Sequence, residues 1–153
     1  MSTLAAVHRS VTVTSSVEKA FAVFTEAFTT WWPPTYQISP NGYEAAFIEP
    51  RLGGRWYQRC PDGSEQDWGT VLAWEPPHHV RLTWQIDAEW RYDPDPSHAS
   101  EVDVTFTDEG NGLTRVDLVH SRFDQLAGAA SLAETVGGEN GWKTILSRFE
   151  SAL

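Results

Sequence analysis

The chain has 153 residues, 41% of them hydrophobic and 21% charged, and a formal net charge of −10. That length fits one domain, residues 1–153, able to bury roughly two-thirds of its unfolded surface. The acidity argues against nucleic-acid binding, which needs clustered Lys and Arg, and against anionic membrane surfaces.

Cys60 is the only cysteine, so no internal disulfide forms, which points to a reducing, cytoplasmic setting. The stretch from Met1 to His8 lacks the basic start and apolar run of a signal peptide. No apolar stretch reaches membrane-spanning length.

Val7, Arg9, Val11 and Val13 alternate with His8, Ser10, Thr12 and Thr14, the period of a strand. Ser15 and Glu18 then read as a capping box that starts a helix. Val17, Ala20, Phe21, Phe24 and Phe28 fall on one helical stripe. Trp31-Trp32-Pro33-Pro34 ends that region, because proline cannot continue a helix. Tyr43 to Glu49 reads as a second strand, closed by Pro50.

Arg51 to Ile86 reads as three consecutive antiparallel strands carrying Trp56, Trp68, Trp74 and Trp84. Gly53-Gly54 opens the first, Pro61-Asp62-Gly63-Ser64 turns into the second, and Pro76-Pro77 turns into the third. The third has the cleanest alternation. Leu82, Trp84, Ile86, Ala88, Trp90 and Tyr92 share one face and the polar residues between them share the other, as in a sheet packed on one side.

Asp93 to His98 is a stiff polar loop with two prolines. Val102, Val104 and Phe106 begin another strand, Asp108 to Gly112 is a hairpin turn, and Thr114, Val116, Leu118 and His120 share the next strand's inner face. Leu126 to Val136 holds one or two helical turns. From Asn140 to Ala152, Trp142, Ile145, Leu146 and Phe149 form a final helical stripe. Strands bracketed by helices make an α+β protein with an antiparallel sheet, curled around its C-terminal helix. Between sheet and helix a pocket lined by aromatic rings is expected.

The first-helix run Val17 to Phe21, Trp31-Trp32-Pro33, Gly53-Gly54-Arg55-Trp56, Gly69 to Pro77, Leu82-Thr83-Trp84, Gly112 to Thr114 with His120, and Gly141-Trp142 with Leu146 resemble, in order and spacing, the START-like (SRPBCC) superfamily. Within it the chain is most similar to bacterial homologues of the heat-shock-protein ATPase activator domain. The resemblance implies the helix-grip fold: a concave sheet of about seven strands, two small helices near the start and a long C-terminal helix. It leaves function open among lipid and hormone binders, polyketide cyclases and aromatases, oxygenase subunits and co-chaperone domains. The connection between Trp84 and Val102 is longer than the resemblance implies, so it extends a hairpin or covers the pocket mouth.

Catalytic motifs are missing: there is no Gly-rich phosphate loop, nucleophile elbow or zinc-protease helix. No cofactor or metal is expected, and His78-His79 reads as a solvated turn rather than a ligand pair. Trp56, Trp84, His120, Trp142 and Leu146 are the expected lining of the pocket. His120 reads either as a satisfied core histidine or as the polar group that orients a ligand or moves a proton. Arg55, Arg59 and Arg81 sit either on a solvated sheet face or at the pocket rim. The expected partner is a small apolar or aromatic molecule. The alternatives are a cyclase, aromatase or hydrolase acting on one, and a co-chaperone-like interaction domain. Monomer and homodimer both stay open.

Overall fold

The structure, a computed structural model, describes residues 5–33, 42–139 and 141–153. Seven strands make one antiparallel sheet: β1 (Val7–Thr14), β2 (Ala45–Ile48), β3 (Arg55–Arg59), β4 (Glu65–Glu75), β5 (His79–Trp84), β6 (Ser100–Gly110) and β7 (Leu113–Ser121). Their order is β1-β7-β6-β5-β4-β3-β2. Strands two to seven are therefore neighbours in sequence order, and β1 closes the far edge beside β7. Among the described residues three α-helices accompany the sheet, α1 (Val17–Thr25), α2 (Ala129–Gly137) and α3 (Trp142–Ser151), with short 3-10 turns at Phe28–Thr30 and Pro96–His98. This is the α+β helix-grip fold. Among the described residues no helix is long and apolar enough to cross a membrane.

The α1 stripe is buried as its spacing predicts. Phe21 and Phe24 set their rings against Phe106 of β6, at centroid distances of 5.2 and 5.6 Å. The cap is one residue later than the capping box implied. Ser16, not Ser15, accepts the Lys19 N–H, at 3.2 Å. Ser15 instead places its carbonyl under the Thr114 hydroxyl of β7, which ties the helix start to the sheet. Ser16→Ala should cost about 1 kcal/mol in chemical denaturation, the usual value of an N-cap. Ser15→Ala should cost less.

On α3, Trp142, Ile145, Leu146 and Phe149 are all buried. Phe149 meets Phe24 and Trp31 at 5.3 and 5.4 Å. The expected start at Asn140 lies outside the described residues, as does Pro34.

Two features of the sheet depart from simple alternation. The β5 strand ends at Trp84, although the alternation runs on to Tyr92. The buried Asp87 carboxylate accepts the backbone N–H of Glu89 and Arg91 and folds the chain back into a turn. Ile86 and Tyr92 face each other across it. Local side-chain-to-backbone bonding of this kind competes with the ladder. In β4 the register against β3 slips, so that Trp56 faces Gly69 while Tyr57 faces Asp67. The unpaired residue is Trp68, and the resulting bulge leaves both Trp68 and Gly69 buried.

Gly69 has a second reason to be glycine: a Cβ there would run into the Thr83 carbonyl. Gly69→Ala should destabilise the fold by about 1–3 kcal/mol, the cost of overpacking, read as a lower denaturation midpoint.

Candidate functional site

The concave face of β3 to β7 carries indoles in mutual contact. Trp56 stacks on Trp68 at 5.5 Å, Trp68 meets Trp84 edge-on at 5.1 Å, and Trp84 meets Trp142 of α3 at 5.7 Å. The β4 bulge is what turns Trp68 inward to join them. Trp32, which lies outside any helix or strand, completes the group. Its ring contacts Trp68 at 5.4 Å, Trp56 at 6.0 Å and Trp142 at 6.1 Å, and stacks on Phe28 at 4.9 Å. The long connection after Trp84 adds Trp90, 6.3 Å from both Trp68 and Trp84. It therefore covers this end of the concave face. Edge-on and offset contacts at these distances are the arrangements that aromatic quadrupoles favour.

His120 sits among these rings, fully buried, 4.9 Å from Trp84 and 4.4 Å from Phe123. The Trp142 indole N–H donates to its Nδ1 at 3.0 Å. An indole nitrogen can only donate, so Nδ1 carries no proton and the ring proton is on Nε2. That N–H donates to Ser100 Oγ at 2.9 Å, and the Ser100 hydroxyl donates on to the Trp84 carbonyl at 2.9 Å. Each donor has one acceptor, and the network assigns the tautomer.

Burial pushes the His120 pKa down to about 3. Protonation would also set an N–H of Nδ1 against that of Trp142. His120 is therefore a neutral, satisfied core histidine that is also part of the wall. Trp142→Phe should cost about 1–3 kcal/mol, because it strands a buried acceptor. Denaturant unfolding with an unchanged m-value checks this.

The other indoles are less uniform. Trp68 donates to Gln58 Oε1 at 3.1 Å and Trp84 donates to the Ile86 carbonyl at 2.9 Å. The Trp56 indole N–H has no acceptor among the described residues, but it is not one of the fully buried polar atoms left without a partner, which are Tyr43 OH and Asp124 Oδ1.

Of the residues expected from sequence, Trp56, Trp84, His120 and Trp142 come together. Leu146 is buried one turn along α3, on the flank facing Arg9, Ser10 and Val11 of β1. Sequence reasoning did not find Trp32, Trp68 or Ser100. Ser100 shares the parity of Val102 and Val104, and Gly69 signals the bulge that re-aims Trp68. Trp32 lies four residues past Phe28 and so continues the helical spacing of Phe24 and Phe28, but the regular helix has ended before it.

Arg55, Arg59 and Arg81 stay on the outer, solvated face. Arg55 is paired with Asp67 at 2.7 Å and Glu65 at 2.9 Å, Arg59 with Glu65, and Arg81 with Asp103. His79 is less solvated than a turn residue would be. It bridges Glu75 at 2.6 Å and Asp103 at 2.9 Å. Burial alone would lower its pKa, but those two carboxylates outweigh it and hold the pKa above the ordinary value. Among the described residues no group of three or more His, Cys, Asp or Glu side chains is arranged to hold a metal ion.

Known proteins fit this geometry. The family model described as "Activator of Hsp90 ATPase homolog 1-like protein" matches residues 14–153. Curated proteins gave no match. Among solved structures, the chain is similar to the anthrahydroquino-gamma-pyrone synthase Txn09 complexed with SUM. The identity is 38% over 98% of this chain and 97% of that one, with a TM-score of 0.69. It is also similar to CalC, a self-sacrificing resistance protein from Micromonospora echinospora. Here the identity is 31% over 96% and 92% of the two chains, with a TM-score of 0.68. The Aha1 dimer from Colwellia psychrerythraea shares the fold at 16% identity, over 98% and 96% of the two chains, with a TM-score of 0.61. The family match over nearly the whole chain, and two relatives above 30% identity, have one consequence: this chain belongs to the Activator of Hsp90 ATPase homolog 1-like family.

Proposed function

We propose that the chain binds a small, flat aromatic molecule against the concave aromatic face, with Trp56, Trp84, His120 and Trp142 as its wall. Leu146 holds α3 against β1 behind them. The observation that carries this reading is the joined aromatic face itself, in which Trp68, Trp84 and Trp142 spend their indole N–H groups on the protein while that of Trp56 has no acceptor among the described residues. A ligand carbonyl or phenol oxygen supplies that acceptor, and its rings take up the edge-on and stacked contacts. Trp32 is the member of the wall that yields, since neither a helix nor a strand holds it. Txn09, by its description a synthase of an anthrahydroquinone-pyrone, supports a polycyclic aromatic as the ligand class.

That same description favours a second reading, an enzyme that closes or rearranges rings in such a molecule. His120 is the acid–base candidate, and it gains a free nitrogen only when Trp142 or Ser100 releases it. Conversion of a polycyclic phenolic substrate that His120→Gln abolishes without weakening binding would select the enzyme.

Native mass spectrometry of the purified chain, before and after incubation with a hydroxyanthraquinone, tests binding. A one-to-one adduct together with quenched indole fluorescence is the expected result. No adduct and no quenching at saturating probe would rule the reading out.

A further inference from the structure

A recess lies between α1, Trp74 and the loops carrying Pro50 and Pro76-Pro77, and shares none of the residues of the indole cluster. It is about 540 Å³, within the range of small-molecule sites. Phe21, Ala22 and Trp74 form its apolar wall, with three prolines from the two loops facing the helix. Trp74 is half-buried and braced edge-on against Phe21 at 5.1 Å. Among the described residues the only charged side chains on the recess are Glu18 and Glu26. Glu18, Ala22 and Glu26 are spaced four apart, so they form one stripe along α1. The two carboxylates therefore flank the small central residue, separated by about 12 Å of helix axis.

Both glutamates are exposed, and neither has an ion-pair partner among the described residues. Glu26 caps the C-terminal end of α1, where the last turn holds no basic residue. A negative charge at that end opposes the helix dipole, whereas a cation there is favoured. A recess with an apolar floor, an aromatic face and two uncompensated carboxylates is complementary to one kind of occupant.

We propose that this recess binds an organic cation, an ammonium group carried on an aryl or alkyl body. The ammonium lies at Glu26 or Glu18 and the body packs on Trp74 and the prolines. The indole face adds a cation–π attraction. A ligand with two ammonium groups about 12 Å apart reaches both ends of the stripe. The site is independent of the aromatic-ligand reading, so either can fail without the other.

Phenylbutylamine, phenylbutanol and phenylbutyrate share one body and differ in charge. Each is titrated into the isotope-labelled chain while the indole N–H signal of Trp74 is followed by NMR, that signal being identified with Trp74→Phe. Saturable movement by the amine is expected, with the alcohol about fivefold weaker, as suits an exposed ion pair, and the carboxylate weaker still. The double variant Glu18→Gln, Glu26→Gln changes only exposed side chains. It should bring the amine down to the alcohol's affinity at an unchanged melting temperature, and added salt should do the same to the parent. Equal affinity for the three probes would overturn the proposal. So would a preference that survives the double variant, or a Trp74 signal that no probe moves.

Discussion

Trp32→Ala should lower stability by about 3–5 kcal/mol, and indole should restore most of that loss. Trp32 is 2% exposed and contacts Phe28, Trp31, Trp56, Trp68 and Trp142. Removing it leaves a cavity walled almost entirely by aromatic rings, and such cavities accept apolar guests. A guest present at about a hundredfold its dissociation constant stabilises by about 2.7 kcal/mol, which is comparable with the loss. Melting curves with and without indole, for parent and variant, make the comparison. The parent, whose space is filled, should gain much less. Trp32→Leu provides a milder version in case the alanine variant is too unstable to melt cooperatively. An indole effect no larger in either variant than in the parent would mean that the space beneath Trp32 collapses and cannot take an aromatic guest.

The second large effect is acid instability set by His120. Its folded pKa, about 3, is below the unfolded value of about 6.5, so the unfolded chain binds the extra proton. The contribution to stability is complete above about pH 6.5 and is lost as pH falls toward 3. Near pH 5 the loss amounts to about 2 kcal/mol. His79 has the opposite sign. Its raised pKa gives stability that is present below about pH 6.5 and lost as pH rises through the folded value. Asp103 is penalised by burial, but its bonds to His79 and Arg81 prevail and lower its pKa, so it also contributes to the acid limb. The difference between parent and His120→Gln cancels these shared terms. Glutamine can accept from Trp142 and donate to Ser100, yet it does not titrate. Denaturant unfolding at several pH values should therefore show a flatter slope between pH 6.5 and 4 in the variant. Parallel slopes would contradict the assignment of a neutral, buried His120.

Much of the architecture is legible in alternation and helical spacing. The inner faces of β6 and β7 and the buried stripes of α1 and α3 follow directly from where apolar side chains recur. The departures occur where a local polar group competes with the pattern. Asp87 stops β5 although the apolar alternation continues past it, and Ser16 takes the cap that the spacing of Ser15 and Glu18 predicts for Ser15. Four of the expected lining residues converge: Trp84 and His120 follow from strand parity, Trp56 from its place after Gly53-Gly54, and Trp142 from the helical stripe of α3. Trp68 was not, because a single bulge reverses the face of every residue counted through it. Trp32 was not, because it continues the spacing of Phe24 and Phe28 past the end of the helix, and its contacts with Trp56, Trp68 and Trp142 are tertiary. The hydrogen-bond direction through His120 needs the partners' positions, which no spacing in one sequence supplies.

In the proposed complex a flat aromatic ligand lies against Trp56 on the concave face. Titrating the isotope-labelled chain with a hydroxyanthraquinone, and following the indole N–H signals by NMR, tests it most directly. The Trp56 signal should move furthest and saturate, because its N–H gains an acceptor, with smaller shifts at Trp32 and Trp142. Unmoved signals for these three at saturating probe, with shifts confined to the half-buried Trp74, would contradict it.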